Sequence, residues 1–380
     1  MTPRLRPPEQ DDFTSRLHHP RVAARLGAWL GICFFVAFAT GVISHLAQQP
    51  DSWLPSRPVW GYRLTQGVHV AAGTACVPLL LAKLWTVYPR LWIRPPRRVQ
   101  KLALHVAERG SIGVLVAAAI FQLATGLANV TTWYPWPFSF RATHFAVGWV
   151  AVGALVVHIA VKLPVVRAAL APAPVEDPEP AGDALSRRGL VRTVGLASVA
   201  AVLLTAGGTV PWLRKVSVFA VRSGDGPQGV PINKSARAAG VTASATDPGF
   251  RLEVVYGALT VSLSRDDLLR LRQQTSGLPI ACVEGWSAHG EWTGVRMRVL
   301  LDLVEAPRGV AVEVTSLQED GPFRITRLPS QFTDDDLTLM ALALDGEPLS
   351  IDHGFPCRLI APNRPGVLQT KWVRRIEVLT

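Results

Sequence analysis

IACVEGWSAHGEWTGV (Ile280–Val295) sets one of the chain's four cysteines between an apolar run and an acidic turn flanked by tryptophans. A thiolate is a soft anionic donor, the kind that suits a sulfur-coordinated transition metal. Cys282 therefore reads as a metal ligand. No CxxC, no HExxH and no cluster of further Cys or His accompanies it, so most of the remaining ligands have to come from a cofactor. A disulfide with Cys357 is the competing reading, which spacing alone leaves open. Cys33 and Cys76 lie inside long apolar runs and read as small packing residues.

Around this stretch the sequence alternates with the period of two that half-buried strands require, in RLEVVYGALTVSL (251–263), VAVEVTSL (310–317) and WVRRIEVL (372–379). Ser264, with Asp267 three residues on, predicts a capped short helix over DDLLRLRQQ (266–274). Pro and Gly punctuate the rest. Residues 215–380 thus predict a mainly β domain with few helices.

The first half is different. Apolar stretches lie at roughly 26–46, 64–86, 102–128 and 141–163, and a fifth runs from Leu190 to Val210. Each is long enough for a hydrocarbon core of about 30 Å, which takes about 20 residues. The fold class expected is a transmembrane helical bundle of four helices plus a fifth anchoring helix, followed by the β-rich domain. Residues 1–192 carry twenty Lys and Arg against nine Asp and Glu, whereas residues 193–380 carry nineteen of each, so the whole excess of +11 sits in the apolar half. That distribution fits loop charge that orients membrane helices and excludes a nucleic-acid partner.

Arg4, Arg6, Arg16, Arg21 and Arg25 precede the first span, and Arg90, Arg94, Arg97, Arg98 and Lys101 separate the second from the third. Loops 47–63 and 129–140 hold only Arg57 and Arg63. The bias predicts a multi-pass protein of the cytoplasmic membrane, with residues 1–25 a cytoplasmic tail and the C-terminal domain outside the cytoplasm. Lys83 and Lys162, near the inner ends of their spans, can snorkel to the surface. Residues 166–189, with APAPVEDPEP at their centre, read as a linker between a bundle over 26–165 and a fifth helix over 190–210. SRRGL (186–190) resembles a twin-arginine export signal, and reads equally as positive-inside charge.

Five histidines, His45, His69, His105, His144 and His158, lie in or at the ends of the apolar spans. Ionisable groups in hydrocarbon are costly and point to function, although interhelical hydrogen bonding and proton relay remain open for each. His144 and His158 are 14 residues apart. At about 100° and 1.5 Å per residue they share one helix face, about 21 Å apart. With the predicted topology His69 and His144 lie at the outer level, and His105 and His158 at the inner. Two imidazoles at one depth on facing helices can ligate a haem iron axially, which predicts two haems b. Gly67, Ala71, Ala72, Gly73, Gly148 and Gly153 can admit a flat macrocycle or simply let helices pack closely. His45 is a spare candidate for the outer haem or a quinone site.

Through GVHVAAGT…LLLAKLW and HFAVGWVAVGALVVHIAVKLP, residues 26–165 resemble the four-helix b-type cytochromes that serve redox enzymes as membrane subunits. The resemblance implies haem b and electron exchange with quinone or quinol in the lipid. CVEGWSAHGEWTGV and LDGEPLSIDHGFPCRLIAPNRPGVLQTKWVRRIEV (344–378) resemble two separated blocks of the sulfite oxidase fold, which binds a molybdopterin cofactor. By that resemblance Cys282 ligates molybdenum and is catalytic. Asn233, Ser316, His353, Arg358, Gln369, Thr370 and Lys371 match places that grip the pterin and its phosphate. Arg358 and Lys371 suit phosphate because charge-assisted hydrogen bonds hold it well.

The chain departs from the soluble sulfite oxidases in two respects. Those enzymes usually carry a further dimerisation domain where this sequence ends at RRIEVLT, and the sequence offers no set of pocket arginines beyond Arg358, Arg364 and their neighbours. Both departures move the resemblance toward the bacterial reductase branch. They predict a membrane oxidoreductase that draws on quinol and reduces an oxidised, sulfoxide-type substrate, either a small molecule or protein-bound. A sulfite-type oxidase running electrons the other way and a non-enzymatic electron carrier are the competing readings.

Overall fold

The computed structural model describes residues 8–171, 185–220 and 226–379. Arg4, Arg6 and most of the linker, residues 172–184, lie outside the described residues. Among the described residues, five helices are long and apolar enough to cross a membrane: α1 (Pro20–Ala47), α2 (Gly61–Val87), α3 (Val99–Val130), α4 (Phe140–Leu170) and α5 (Arg187–Thr205). The first four extend past their apolar stretches at both ends, because backbone hydrogen bonding carries a helix into polar flanks that still favour it. α5 starts in SRRGL and stops at Thr205, five residues short of the expected end. Ala206, Gly207 and Gly208 tighten into a 3-10 turn, and Pro211 begins another.

The chain divides into two compact units, Met1–Ala39 with His69–Thr205, and Thr40–Val68 with Ala206–Thr380. In the first, Val22 and Leu26 of α1, Leu79 of α2 and Val194 of α5 form a buried cluster. Ser198 of α5 donates to the Ala75 carbonyl of α2 at 3.1 Å, and α3 packs along α4.

The second unit carries ten strands among its described residues: β1 (Leu252–Tyr256), β2 (Leu259–Leu263), β3 (Gln273–Cys282), β4 (Trp286–Arg296), β5 (Val312–Ser316), β6 (Ile325–Leu328), β7 (Leu339–Leu344), β8 (Glu347–Pro348), β9 (Arg358–Ile360) and β10 (Val373–Val378). One sheet runs β2-β1-β10-β5-β6, with β1 and β10 parallel. The other runs β3-β4-β7-β8, and β9 pairs with β7. The three alternating stretches all form strands of the first sheet. The Ser264–Asp267 capping box is present, but the helix it opens ends at Arg270, and Gln273 and Gln274 enter β3 instead.

The two largest apolar clusters of the unit follow from this. Leu252, Val254, Leu300, Leu301, Val314 and Ile376 belong to the larger one. The second gathers Leu278, Ile280, Cys282, Trp286, Ala288 and Trp292. Along β4 the residues Trp286, Ala288, Gly290 and Trp292 are buried while His289 and Glu291 are exposed, the alternation a strand imposes.

Gly294 occupies the register shift between β4 and β7, where a Cβ would lie 2.1 Å from the Met340 carbonyl oxygen and 2.6 Å from the Ala341 Cα. Backbone cannot yield as a flexible side chain does. Gly294→Ala therefore destabilises the domain by about 3 kcal/mol or more, measurable as a lower denaturation midpoint.

Residues of Thr40–Val68 are tied into this second unit rather than the first. Gln331 Nε2 donates to the Ser52 and Leu54 carbonyls at 2.7 and 3.1 Å, and Arg57 pairs with Asp335 at 3.1 Å. The boundary between units therefore does not follow chain order, unlike the expected single bundle over 26–165.

Candidate functional site

Cys282 ends β3, and Trp286 opposes it across a tight turn. The Gly285 amide donates to the Cys282 carbonyl at 3.2 Å, and Gly285 adopts a φ of 74°, a conformation that glycine reaches without steric cost. Glu284 accepts from the Trp286 indole at 3.2 Å. The acidic residue thus serves the tryptophan beside it, and Trp286 packs with Cys282 in the second core. Neither Cys282 nor Cys357 is in a disulfide, and the two sit in different cores, so the alternative pairing does not form. Cys357 donates instead to the Val373 carbonyl at 3.3 Å.

Cys282 lines an open cavity. Asn233, His353, Arg358, Gln369, Thr370 and Lys371 line it too. Ser316 does not. It is fully buried behind the wall, where its hydroxyl donates to the Lys371 carbonyl at 2.8 Å and accepts from the Gln318 amide at 3.2 Å. Its role is to position those two wall residues.

Gln369 and Thr370 spend their side chains within the protein. Gln369 Nε2 donates to the Arg364 carbonyl, its Oε1 accepts from the Ala361 amide, and Thr370 bonds Thr326. Arg364 is buried away from the cavity and donates to the Leu368 and Arg327 carbonyls, so it supplies no pocket charge. Lys234 and Gln318, bonded to each other at 2.9 Å, belong to the wall and are not among the expected residues. Each is within two positions of one that is, Asn233 or Ser316. Trp286 and Phe323 also line the cavity.

The charge of the wall is one-sided. Lys234, Arg358 and Lys371 line it, and none of the described lining residues is Asp or Glu. Arg358 is 3% exposed, donates to the His353 and Gln369 carbonyls, and has no hydrogen-bond partner for its Nε among the described residues. Its guanidinium lies 5.0 Å over the Trp292 ring. Burial pulls its pKa down to about 9 and, assisted by the Arg358 charge, that of Lys371 to about 7. Lys371 donates to the Lys234 and Asp352 carbonyls and lies within electrostatic reach of Cys282. A buried cation without an anion is costly, so this wall fits a ligand that brings negative charge. The thiol at the same cavity fits a soft metal. Both are properties of a molybdenum held on a phosphorylated pterin.

His353 is 1% exposed, with Nε2 2.7 Å from the Pro227 carbonyl. Burial first, and the Arg358 charge second, lower its pKa to about 4, so the ring is neutral at pH 7 and donates from Nε2. An unfolded histidine titrates near 6.5, so the unfolded chain binds more protons between the two values. Stability of the cofactor-free protein therefore falls as pH drops from about 6.5 to about 4, by up to roughly 3 kcal/mol from this group. Denaturant melts at pH 7 and 4.5 should show the fall, and His353→Gln should lack most of it.

In the other unit, the His69 and His144 rings lie with centroids 6.3 Å apart at 71°. His69 Nδ1 is 2.8 Å from the Ala37 carbonyl, and His144 Nδ1 is 3.1 Å from the Thr125 hydroxyl. His105 and His158 are not brought ring to ring. They flank the ion pair of Glu108 and Lys162, with Lys83 also near His158. His45 lies 3.1 Å from the Gln49 amide nitrogen.

Residues 239–380 match the family described as oxidoreductase molybdopterin binding domain. The C-terminal part is a sulfite oxidase-like molybdopterin oxidoreductase domain. The chain is 33% identical over 113 residues to "Sulfite oxidase" of Arabidopsis thaliana, covering 25% of the chain and 29% of the relative. "Uncharacterized oxidoreductase YuiH" of Bacillus subtilis is 30% identical over 126 residues, 32% of the chain and 62% of the relative. "Putative protein-methionine-sulfoxide reductase subunit YedZ1" of Azospira oryzae is 31% identical over 113 residues, 30% of the chain and 42% of the relative. In each case the alignment spans less than two thirds of the relative's length. The molybdopterin domain contains every cavity residue described above except those of the 231–234 segment.

Proposed function

We propose that the chain is a membrane-bound molybdopterin oxidoreductase that takes electrons from quinol through haem b and reduces a neutral sulfoxide at the Cys282 cavity. The observation that carries this reading is a cavity that joins a metal-binding thiol to buried cations with no carboxylate in its wall. Bound molybdenum supplies two-electron oxygen-atom transfer. Cys282 contributes the anionic sulfur, Arg358 and Lys371 hold the pterin phosphate, and neutral His353 orients the wall through Pro227. Ile280, Trp286 and Val367 pack with Cys282, an apolar setting that favours a neutral sulfoxide over sulfite. The printed name of the YedZ1 relative supports the same substrate class.

Support for haem comes from the ring geometry. A metal bond of about 2 Å puts each imidazole centroid about 3 Å from the metal, hence two opposed ligands about 6 Å apart. The His69–His144 separation of 6.3 Å matches that spacing. Both rings hold a protein oxygen at Nδ1, the outer-shell contact that fixes Nε2 as the ligand atom. His105 and His158 are the proposed inner pair, supported by their common depth in the predicted topology. The apolar helices and the Lys and Arg bias support a multi-pass arrangement with the catalytic domain outside the cytoplasm. The SRRGL stretch would then serve export of a domain already loaded with its cofactor.

The test pairs substrate with spectrum. Reduced viologen should drive consumption of a thioether sulfoxide, and sulfite should be a poor donor in the reverse assay. His69→Ala and His144→Ala should each remove the same haem from the redox-difference spectrum and leave molybdenum content unchanged. Sulfite turnover exceeding sulfoxide turnover would replace this reading by the oxidase.

A further inference from the structure

The hairpin that carries Cys282 has one edge that its sheet leaves bare near the turn. β3 pairs with β4 from Trp286 to Val295, whereas β7 pairs along the other side of β4 only from Trp292 onward. Carbonyls on that side of the turn need other partners, because a buried one left without any is costly. The segment after α5 supplies two. The Thr209 hydroxyl donates to the Gly285 carbonyl, and Arg214 Nη2 donates to the Ser287 carbonyl. Alternate residues present their carbonyls along one edge of a strand, so the two donors stand where a neighbouring strand would. Thr209 is 1% exposed, and Ala206, Gly207 and Gly208 before it are buried. The segment folds tightly on itself. The Val210 amide donates to the Ala206 carbonyl at 2.8 Å and the Ser217 amide to the Leu213 carbonyl at 3.0 Å. A Cβ on Gly207 would lie 2.4 Å from the Ser217 Cβ. All these residues belong to the second unit, and neither Thr209 nor Arg214 lines the cavity.

We propose that Thr209, seconded by Arg214, is a positioning residue for the Cys282 thiolate, fixing the hairpin turn so that the sulfur meets molybdenum in one orientation. This rests on the proposed function, with Cys282 the molybdenum ligand. Gly285 is held on both sides, its amide by the Cys282 carbonyl and its carbonyl by Thr209. Two consecutive bonds therefore run from the Thr209 hydroxyl to the backbone of the metal-binding residue. Gly285 has no side chain to stiffen the turn, and at a φ of 74° it takes a conformation that only an outside contact holds against glycine's freedom. A thiolate shares density with a metal through a sulfur lone pair, whose direction turns with the side chain that carries it. A loosened turn thus changes the electronic state of the metal while the set of ligands stays the same. Contacts behind a metal ligand commonly change activity by about tenfold to a hundredfold.

The detergent-purified holoprotein provides the test. Turnover is followed with reduced viologen and a thioether sulfoxide, the paramagnetic molybdenum(V) state by electron spin resonance, and the sulfur ligands by X-ray absorption at molybdenum. Thr209→Val removes the hydroxyl at nearly constant volume. It should keep the wild-type molybdenum content and number of sulfur ligands, yet shift the molybdenum(V) g values and lower kcat about tenfold. Thr209→Ser, which keeps the hydroxyl, should restore both. Arg214→Met should change the same two readouts in the same direction, and it decides the matter if Thr209→Val does not accumulate. A wild-type signal and wild-type turnover in the variant overturn the proposal. So does a joint loss of cofactor and thermal stability that Thr209→Ser does not repair, which would mean that the segment only supports the fold. A wild-type molybdenum with no more sulfur ligands than that of Cys282→Ser overturns the ligand reading itself, and the positioning role with it.

Discussion

Cys282→Ser abolishes sulfoxide reduction, with a fall of roughly a thousandfold or more, about 4 kcal/mol of transition-state stabilisation. Cys282 is 1% exposed and packs among Ile280, Trp286 and Ala288. A serine fits the same volume, and the backbone bond from Gly285 to the Cys282 carbonyl persists. The buried hydroxyl costs about 1–3 kcal/mol, less than the stability of an ordinary domain. The fold therefore survives while the metal exchanges a soft anionic sulfur for a poor oxygen donor. Turnover with viologen, thermal melting and the haem spectrum together check this, since only the first should change. An electron carrier without catalysis would show no turnover to lose.

The second large effect separates cofactor binding from folding. Arg358 is buried with an unpartnered Nε and no carboxylate in the cavity wall to offset it. Replacing a buried charge by an apolar side chain of similar volume is commonly neutral or stabilising. Losing a charge-assisted hydrogen bond to a bound anion costs about 1.5–3 kcal/mol, or roughly tenfold to a hundredfold in affinity. Arg358→Met should thus purify with much less pterin and molybdenum, yet melt in its cofactor-free form at or above the wild-type temperature. A variant that loses stability and cofactor together would mean that Arg358 is only a structural brace for the His353 and Gln369 carbonyls.

Much of the domain was legible because period-two alternation records which face of a strand is buried. RLEVVYGALTVSL folds into the β1–β2 hairpin, and Ser264 caps its helix as its spacing requires. The QQ that seemed to continue that helix pairs instead with Val295 and Gly294 across β3 and β4, a long-range preference that local propensity does not contain. The chemistry of a thiol without neighbouring ligands singles out Cys282, and the structure places it on the cavity wall. Which face a given motif residue presents was not legible. Ser316, Gln369 and Thr370 lie in matching segments, but backbone groups claim the side chains of the first two and the Thr326 hydroxyl that of Thr370, and Lys234 and Gln318 take the wall beside them.

In the helical part, the predicted topology puts His69 and His144 at one level, and their ring centroids lie 6.3 Å apart. The pairing of His105 with His158 rests on the same reasoning, and the ion pair of Glu108 and Lys162 lies near both. Nothing in local sequence shows Thr40–Val68 joining the C-terminal domain, because contacts such as Tyr62 to Asn363 span some three hundred positions.

Metal analysis of the detergent-purified chain, with a redox-difference absorption spectrum on the same sample, bears most directly on a molybdenum–haem relay. About one molybdenum and two haem irons per chain are expected from the ligand sets. Haem without molybdenum, in protein made by a host that synthesises the pterin cofactor, would contradict catalysis at Cys282 and leave a cytochrome joined to a domain of another purpose.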